Sequence, residues 1–247
     1  MLNLSYSSKA PEITILFWII KVCVTTLGET AGDALSMSFH LGYLTSTIIF
    51  SGIFLALVSI QIIYKNFNPY LYWSVIISTT TLGTTLADFI DRTVGIGYLG
   101  GTSTIAILLS LSIMIWYYIE KEISINTFRN QRSEWFYWIT IVFSQTLGTA
   151  LGDWSADTIG LGFSNGALLF GCLIIILAVL NNFSFLSKTI LFWGTFVLTR
   201  PFGAVLGDYL DKPISSGGLS LDRIQLSSGL FIIISLLVYI SNTRKTH

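Results

Sequence analysis

The stretch YWITIVFSQTLGTALGDWSADTIGLG, residues 137–162, decides the fold, because its landmarks return three more times along the chain. An aromatic precedes Trp138, Gly148 follows ten residues on, Asp153 five beyond it, and Gly162 nine further. The same offsets give Phe17-Trp18, Gly28, Asp33 and Gly42; Tyr72-Trp73, Gly83, Asp88 and Gly97; and Phe192-Trp193, Gly203, Asp208 and Gly217. Landmarks kept at identical offsets in four places mark one supersecondary unit used four times. The tryptophans stand 55, 65 and 55 residues apart, the pattern of a unit duplicated and then duplicated again. Units two and four share Asp88-Phe89-Ile90-Asp91-Arg92 and Asp208-Tyr209-Leu210-Asp211-Lys212. Units one and three share Thr26-Leu27-Gly28 with Ser36, and Thr146-Leu147-Gly148 with Ser155.

The material around these landmarks is lipid-compatible. Of the 247 residues 53% are hydrophobic and 11% charged, less than half the charge of an ordinary soluble domain. Apolar stretches of membrane-spanning length occur at about 13–36, 44–64, 70–91, 101–119, 135–157, 164–181, 189–211 and 225–241. They lack the alternation of a membrane β-strand. Helices bond their own backbone groups in lipid, so the reading is all-α and polytopic: eight transmembrane helices as four two-helix hairpins. An even number of crossings per unit makes the repeats parallel, with pseudo-twofold or pseudo-fourfold symmetry about the membrane normal. The repeats run approximately 12–65, 68–120, 133–182 and 187–242 within one membrane domain, with 120–134 as a connector between halves.

Charge excludes other classes and sets orientation. Thirteen Lys and Arg balance thirteen Asp and Glu and no basic run exceeds two residues, so nucleic acid is not an expected partner. Cys23 and Cys172 sit inside apolar runs and read as packing residues, not a disulfide framework. The polar start Ser7–Glu12 and the absence of a small-residue cleavage site give no cleavable signal peptide. Lys9, Lys65, Lys121, Arg129, Arg132, Lys188, Arg244 and Lys245 fall between hairpins or at the termini, against Arg92, Lys212 and Arg223 inside them. The positive-inside rule then puts both termini and the connector in the cytoplasm. The repeat tryptophans are expected at that interface, as members of an aromatic belt.

With these residues in view, the chain resembles a family of bacterial integral membrane proteins of poorly defined function, built from four tandem two-helix repeats with a recurrent tryptophan. The marks are Gly28-Glu29-Thr30-Ala31-Gly32-Asp33, Gly148-Thr149-Ala150-Leu151-Gly152-Asp153, and Thr199-Arg200-Pro201-Phe202-Gly203 leading to Gly207-Asp208, Asp211-Lys212-Pro213 and Gly217-Gly218-Leu219. The resemblance covers nearly the whole chain. It implies the fold and a multi-pass protein of the bacterial inner membrane, and brings no activity with it.

Function is therefore argued from charge inside the spans, where each ionised group costs about 2.5–3.5 kcal/mol. Glu29 with Asp33, Asp88 with Asp91, Asp153 with Asp157, and Asp208 with Asp211 are spaced three or four apart, so each pair shares a helix face. If the four faces meet, crowded carboxylates need protons, basic partners or a cation. An all-oxygen donor set suits hard cations, so a bound Mn²⁺ or Mg²⁺ is the one cofactor or substrate expected. Asp33, Asp88, Asp153 and Asp208 are the core ligands in this reading; Glu29, Asp91, Asp157 and Asp211 are auxiliary. Counting from the cytoplasmic ends, however, the aspartates lie roughly 28–30 Å up their helices, where acids can simply cap hairpins in water.

Arg200 is deeper, followed by the helix-breaking Pro201, and is expected to pair with Glu29 or Asp88 as a counter-charge or gate. Lys21 is expected to snorkel back to the cytoplasmic side. Gly28, Gly83, Gly148 and Gly203 belong to small-residue seams for close helix packing. His40 and His247 are the sole histidines, and no nucleophile–base set is apparent, so the chain reads as a non-enzyme. The leading expectation is a transporter or channel-like permease for a small cation, with lipids as its other partner. The alternatives are a scaffold or sensor whose acids only join helices, and thirdly an intramembrane enzyme. Oligomeric state is not legible.

Overall fold

A computed structural model describes residues 11–64, 66–121, 123, 130–181 and 187–243. Eight α-helices form among them: α1 (Ile15–Asp33), α2 (Gly42–Ile63), α3 (Pro69–Asp88), α4 (Gly97–Glu120), α5 (Gln131–Asp153), α6 (Gly162–Leu180), α7 (Lys188–Asp211) and α8 (Arg223–Thr243). The odd-numbered helices carry the repeat motif. Each of them starts at a polar N-cap: Thr14, Asn68, Asn130 and Ser187 accept bonds from backbone N–H groups of the first turn. Such a cap contributes about 1 kcal/mol.

In the first three repeats the α-helix ends at the motif aspartate and continues for one π-helical turn, Ala34–Ser38, Phe89–Thr93 and Trp154–Thr158. The chain then reverses and the second helix opens on the recurring glycine. At Gly97 the backbone takes φ +70°, a conformation only glycine adopts freely. In the fourth repeat Pro213 ends the run, and a 3₁₀ turn over Ile214–Ser216 replaces the π turn.

The four motif helices form a closed ring, α1 beside α3, α3 beside α5, α5 beside α7, and α7 back against α1. The two helices of a repeat are consecutive but do not pack as a self-contained hairpin. Instead α2 lies on α3, α4 on α5, α6 on α7, and α8 on α1. The reason is geometric: each inner helix gives two sides to its neighbours in the ring, and its remaining outer side is covered by the preceding repeat. The arrangement has pseudo-fourfold symmetry, and the last repeat completes the first.

Glycines set the spacing of the ring. A Cβ on Gly28 would overlap Thr80, one on Gly148 would overlap Arg200, and one on Gly203 would overlap Thr25, while one on Gly83 would lie 3.0 Å from Gln145 backbone. Every contact residue stands seven positions after its own repeat's tryptophan, so a single packing rule runs around the ring. Threonines reinforce it: Thr84 donates to the Gly28 carbonyl at 3.0 Å and Thr25 to the Thr199 carbonyl at 3.0 Å.

The outer helices turn apolar side chains outward, among them Ile48, Met114, Leu168 and Ile232. Six helices are long and apolar enough to cross a membrane, α1, α2, α4, α6, α7 and α8. α3 and α5 fall short of that apolarity because they are rich in threonine and serine, yet those side chains are buried inside the ring and shielded from lipid. The molecule is thus an all-helical polytopic membrane protein.

The tryptophans correct one expectation. Trp73 and Trp138 are 3% and 1% exposed, and are core residues rather than an interfacial belt. Trp73 packs on Phe17 with ring centroids 5.4 Å apart, Trp138 on Tyr72 at 6.0 Å, and Trp18 on Phe192 at 5.7 Å. These three tryptophans therefore lock onto the aromatic of the preceding repeat around the ring, which explains the recurrent aromatic–Trp pair. Lys9, Lys65, Arg129, Arg244, Lys245, the Lys188 side chain, His247 and most of the 120–134 connector's first half lie outside the described residues.

Candidate cation site on the bundle axis

Four-residue steps stay on one face of a helix, and the inner helices use this to line a common axis. Positions three, seven, eleven and fifteen after each tryptophan form four tiers. The tiers are Lys21, Ile76, Ile141 and Phe196; Thr25, Thr80, Gln145 and Arg200; Glu29, Thr84, Thr149 and Ala204; and Asp33, Asp88, Asp153 and Asp208. None of these sixteen residues is more than 3% exposed.

The aspartate tier brings the repeats together. Oxygens of Glu29, Asp153 and Asp208, from three repeats, lie within 4.8 Å of one another, as do those of Asp33, Asp208 and Asp211. Two cations bridge neighbouring repeats. Arg92 Nε lies 2.6 Å from Asp88 while its Nη2 is 4.0 Å from Asp153; Lys212 Nζ lies 2.6 Å from Asp33 and 3.1 Å from Asp208. Arg223 of α8 binds Asp211 at 2.9 Å. The basic residues reduce the fourfold ring to a twofold one. Burial alone would lower the Lys212 pKa, but the Asp208, Asp33 and Asp211 carboxylates outweigh it and hold the ammonium well above its ordinary range.

One tier deeper, the Arg200 guanidinium reaches Glu29 at 3.1 Å and also binds Thr84 and Thr149. Lys21 does not snorkel. It is fully buried, with Nζ 4.1 Å from the Phe196 ring centroid and no hydrogen-bond partner among the described residues. The apolar environment next to the axis draws the aliphatic stem inward, and the ring face supplies a cation–π contact.

Six of the eight acids singled out by spacing are gathered here. Asp91 is not. It is buried against Gly101 of α4 with neither oxygen hydrogen-bonded among the described residues. Asp157 lies on the exposed rim and accepts the Tyr98 hydroxyl at 2.9 Å. Both come three or four residues after their aspartate, but the π turn rotates them off the ring. Arg92, Lys212 and Thr149 stand in the repeated motifs, but spacing alone assigns neither them nor Arg223 and Thr84 to the site. The i, i+4 offsets Asp88–Arg92 and Asp208–Lys212 were the available signal for two of them.

Chemically, six carboxylates (Glu29, Asp33, Asp88, Asp153, Asp208, Asp211) face four cationic side chains (Arg92, Arg200, Lys212, Arg223), a formal excess of two negative charges. Oxygens within 4.8 Å of one another match ligands on opposite sides of an ion bound at about 2.0–2.6 Å, as hard divalent cations are. A ring of like-oriented repeats around an acidic axis defines an integral membrane protein built by internal repetition. The chain belongs to the family of the repeat of unknown function DUF347, whose model matches residues 16–67, 71–122, 136–184 and 191–245. No curated protein and no solved structure matches it.

Proposed function

We propose that the protein is a membrane transporter for a small cation, Mn²⁺ or Mg²⁺ first, rather than an enzyme. The observation that carries this reading is the convergence of carboxylates from separate repeats within 4.8 Å of one another on the bundle axis. An excess of two negative charges is satisfied by one divalent ion or by two protons, so exchange of protons for the ion is the natural coupling. The reading further places the chain in the bacterial inner membrane with both termini cytoplasmic, following the distribution of Lys and Arg. The acid ring then faces the outer side, and the Arg200, Lys21 and aromatic tiers close the cytoplasmic half.

The test is Asp153→Asn. Asp153 has no cation nearer than Arg92 at 4.0 Å among the described residues, so its charge is the least compensated in the ring. Calorimetry with Mn²⁺ on the purified full chain is expected to show binding to wild type and at least tenfold weaker binding to the variant. Proteoliposome flux should fall with it. The scaffold reading is favoured by a different observation, the direct pairing of Arg92, Arg200 and Lys212 with acids. It predicts no Mn²⁺ binding by either protein, and that result would replace the transport reading.

A further inference from the structure

One nitrogen of Arg200 holds three other repeats at once. Nη2 lies within hydrogen-bond distance of Glu29 Oε2 at 3.1 Å, of Thr84 Oγ1 at 2.6 Å and of Thr149 Oγ1, its two hydrogens shared among the three, while Nη1 donates to the Thr25 carbonyl at 3.3 Å. Glu29, Thr84 and Thr149 are the same position of repeats one, two and three. The guanidinium therefore occupies the centre of their tier instead of lying beside a single carboxylate. Room for its stem depends on Gly148, where a Cβ would lie 2.6 Å from Arg200 Cβ and 3.1 Å from Pro201 Cδ. Pro201 has no N–H to bond the Val197 carbonyl, so α7 is weakened next to the side chain that fills the axis.

Two further observations bear on this residue. Glu29 is shared: the carboxylate that binds Arg200 is also one of the acids whose oxygens cluster with those of Asp153 and Asp208. And Lys21, one helical turn below the Thr25 tier, occupies the axis on the side of Arg200 away from the acids, fully buried and without a hydrogen-bond acceptor among the described residues.

We infer that Arg200 is an internal gate, a tethered cation that closes the axis by holding Glu29 and is displaced when a small cation entering through the aspartates competes for that carboxylate. This rests on the acid ring being a cation site, as proposed above. Ion arrival removes the attraction of Glu29 and adds a like charge beside the guanidinium, so both changes release the same contact. The neutral hydroxyls of Thr84 and Thr149 then face the ion's path. Entry of the ion and opening of the axis become a single event.

The experiment is Mn²⁺ calorimetry on the purified full chain, comparing wild type with Arg200→Gln and Arg200→Lys. Loss of the competitor is expected to tighten Mn²⁺ binding at least tenfold in Arg200→Gln. Arg200→Lys keeps the charge but not the planar fork, and should fall between. Arg200→Gln that melts as a folded protein yet binds Mn²⁺ no more tightly than wild type overturns the gate and leaves the cation site standing. Failure of wild type and both variants to bind Mn²⁺ overturns the cation site and the gate with it. A second measurement does not depend on Arg200→Gln folding. In a chain with Cys23→Ser, Cys172→Ser and Thr149→Cys, N-ethylmaleimide should label the introduced thiol at least threefold faster in saturating Mn²⁺ than without it. An equal or slower rate refutes displacement.

Discussion

Substituting Gly203 by alanine tests the packing rule that closes the ring between the last repeat and the first. A Cβ at this position would lie 2.8 Å from the Thr25 carbonyl carbon and would overlap the Thr25 side chain. Ordinary carbon–carbon contact is about 3.5–4.0 Å, so α1 and α7 must part by roughly 0.7 Å or more. The obstacle is backbone and cannot swing away. Overpacking of this kind costs about 1–3 kcal/mol. Gly52 supplies the control, because a Cβ there meets nothing within 4 Å. Gly52→Ala should gain about 0.5–1 kcal/mol from helix propensity, a gain that Gly203→Ala shares, so the two variants should differ by the overpacking cost of about 1–3 kcal/mol. Reversible unfolding of the full chain in bicelles would read this difference directly. Gly83→Ala should behave like Gly203→Ala, since it meets Gln145 and Thr146 backbone at 3.0 Å. Gly148→Ala should also behave like Gly203→Ala, because the Arg200 Cβ it meets at 2.6 Å and the Pro201 ring at 3.1 Å are fixed to the α7 backbone. A Gly203→Ala protein as stable as Gly52→Ala would show that the helices are not held at contact distance, and the ring geometry would fail with it.

Lys212→Met leaves Asp33 and Asp208 facing each other without their shared cation, and should cost about 3–5 kcal/mol. Adding Asp33→Asn should recover part of that loss; a double variant no more stable than the single one would contradict the pairing. Because the folded chain raises the Lys212 pKa, the contribution is complete below the ordinary value of about 10.4 and fades only at higher pH, so it should be constant between neutral pH and about pH 9. His40 has φ +55°, where the second and third repeats carry Gly95 and Gly160. His40→Gly should relieve a left-handed backbone cost of about 1 kcal/mol, partly offset by glycine's greater chain entropy, and raise the melting midpoint slightly; a lowered midpoint would rule out strain there.

Much of this arrangement was legible in the linear order of residues. Helix length, the fourfold repetition and the seam glycines are properties of local spacing, and spacing is preserved when a helix forms. The Arg200–Glu29 pair was also within reach, since a buried guanidinium needs an acid and few are available at that depth. The path of Asp91 and Asp157 was not. Their offsets assume a continuous α-helix, whereas the π turn after Asp88 and Asp153 adds a residue to the turn and rotates the side chains beyond it. The course of Lys21 was lost for another reason. A lysine near a helix end can turn towards water or towards the protein, and the Phe196 ring that receives it is 175 residues away.

What the residue string settles without help is periodic: how many helices there are, that four units share one direction, and which side chains lie on each motif face. Those come from the 3.6-residue turn and the thickness of a bilayer. Which unit lies beside which is a different kind of fact. The covering of each inner helix by its predecessor's outer helix, the closure of α8 and α7 onto α1, and the meeting of acids from distant repeats all depend on contacts between segments. Local geometry says nothing about such contacts, because every repeat offers the same surfaces to all the others until the ring closes.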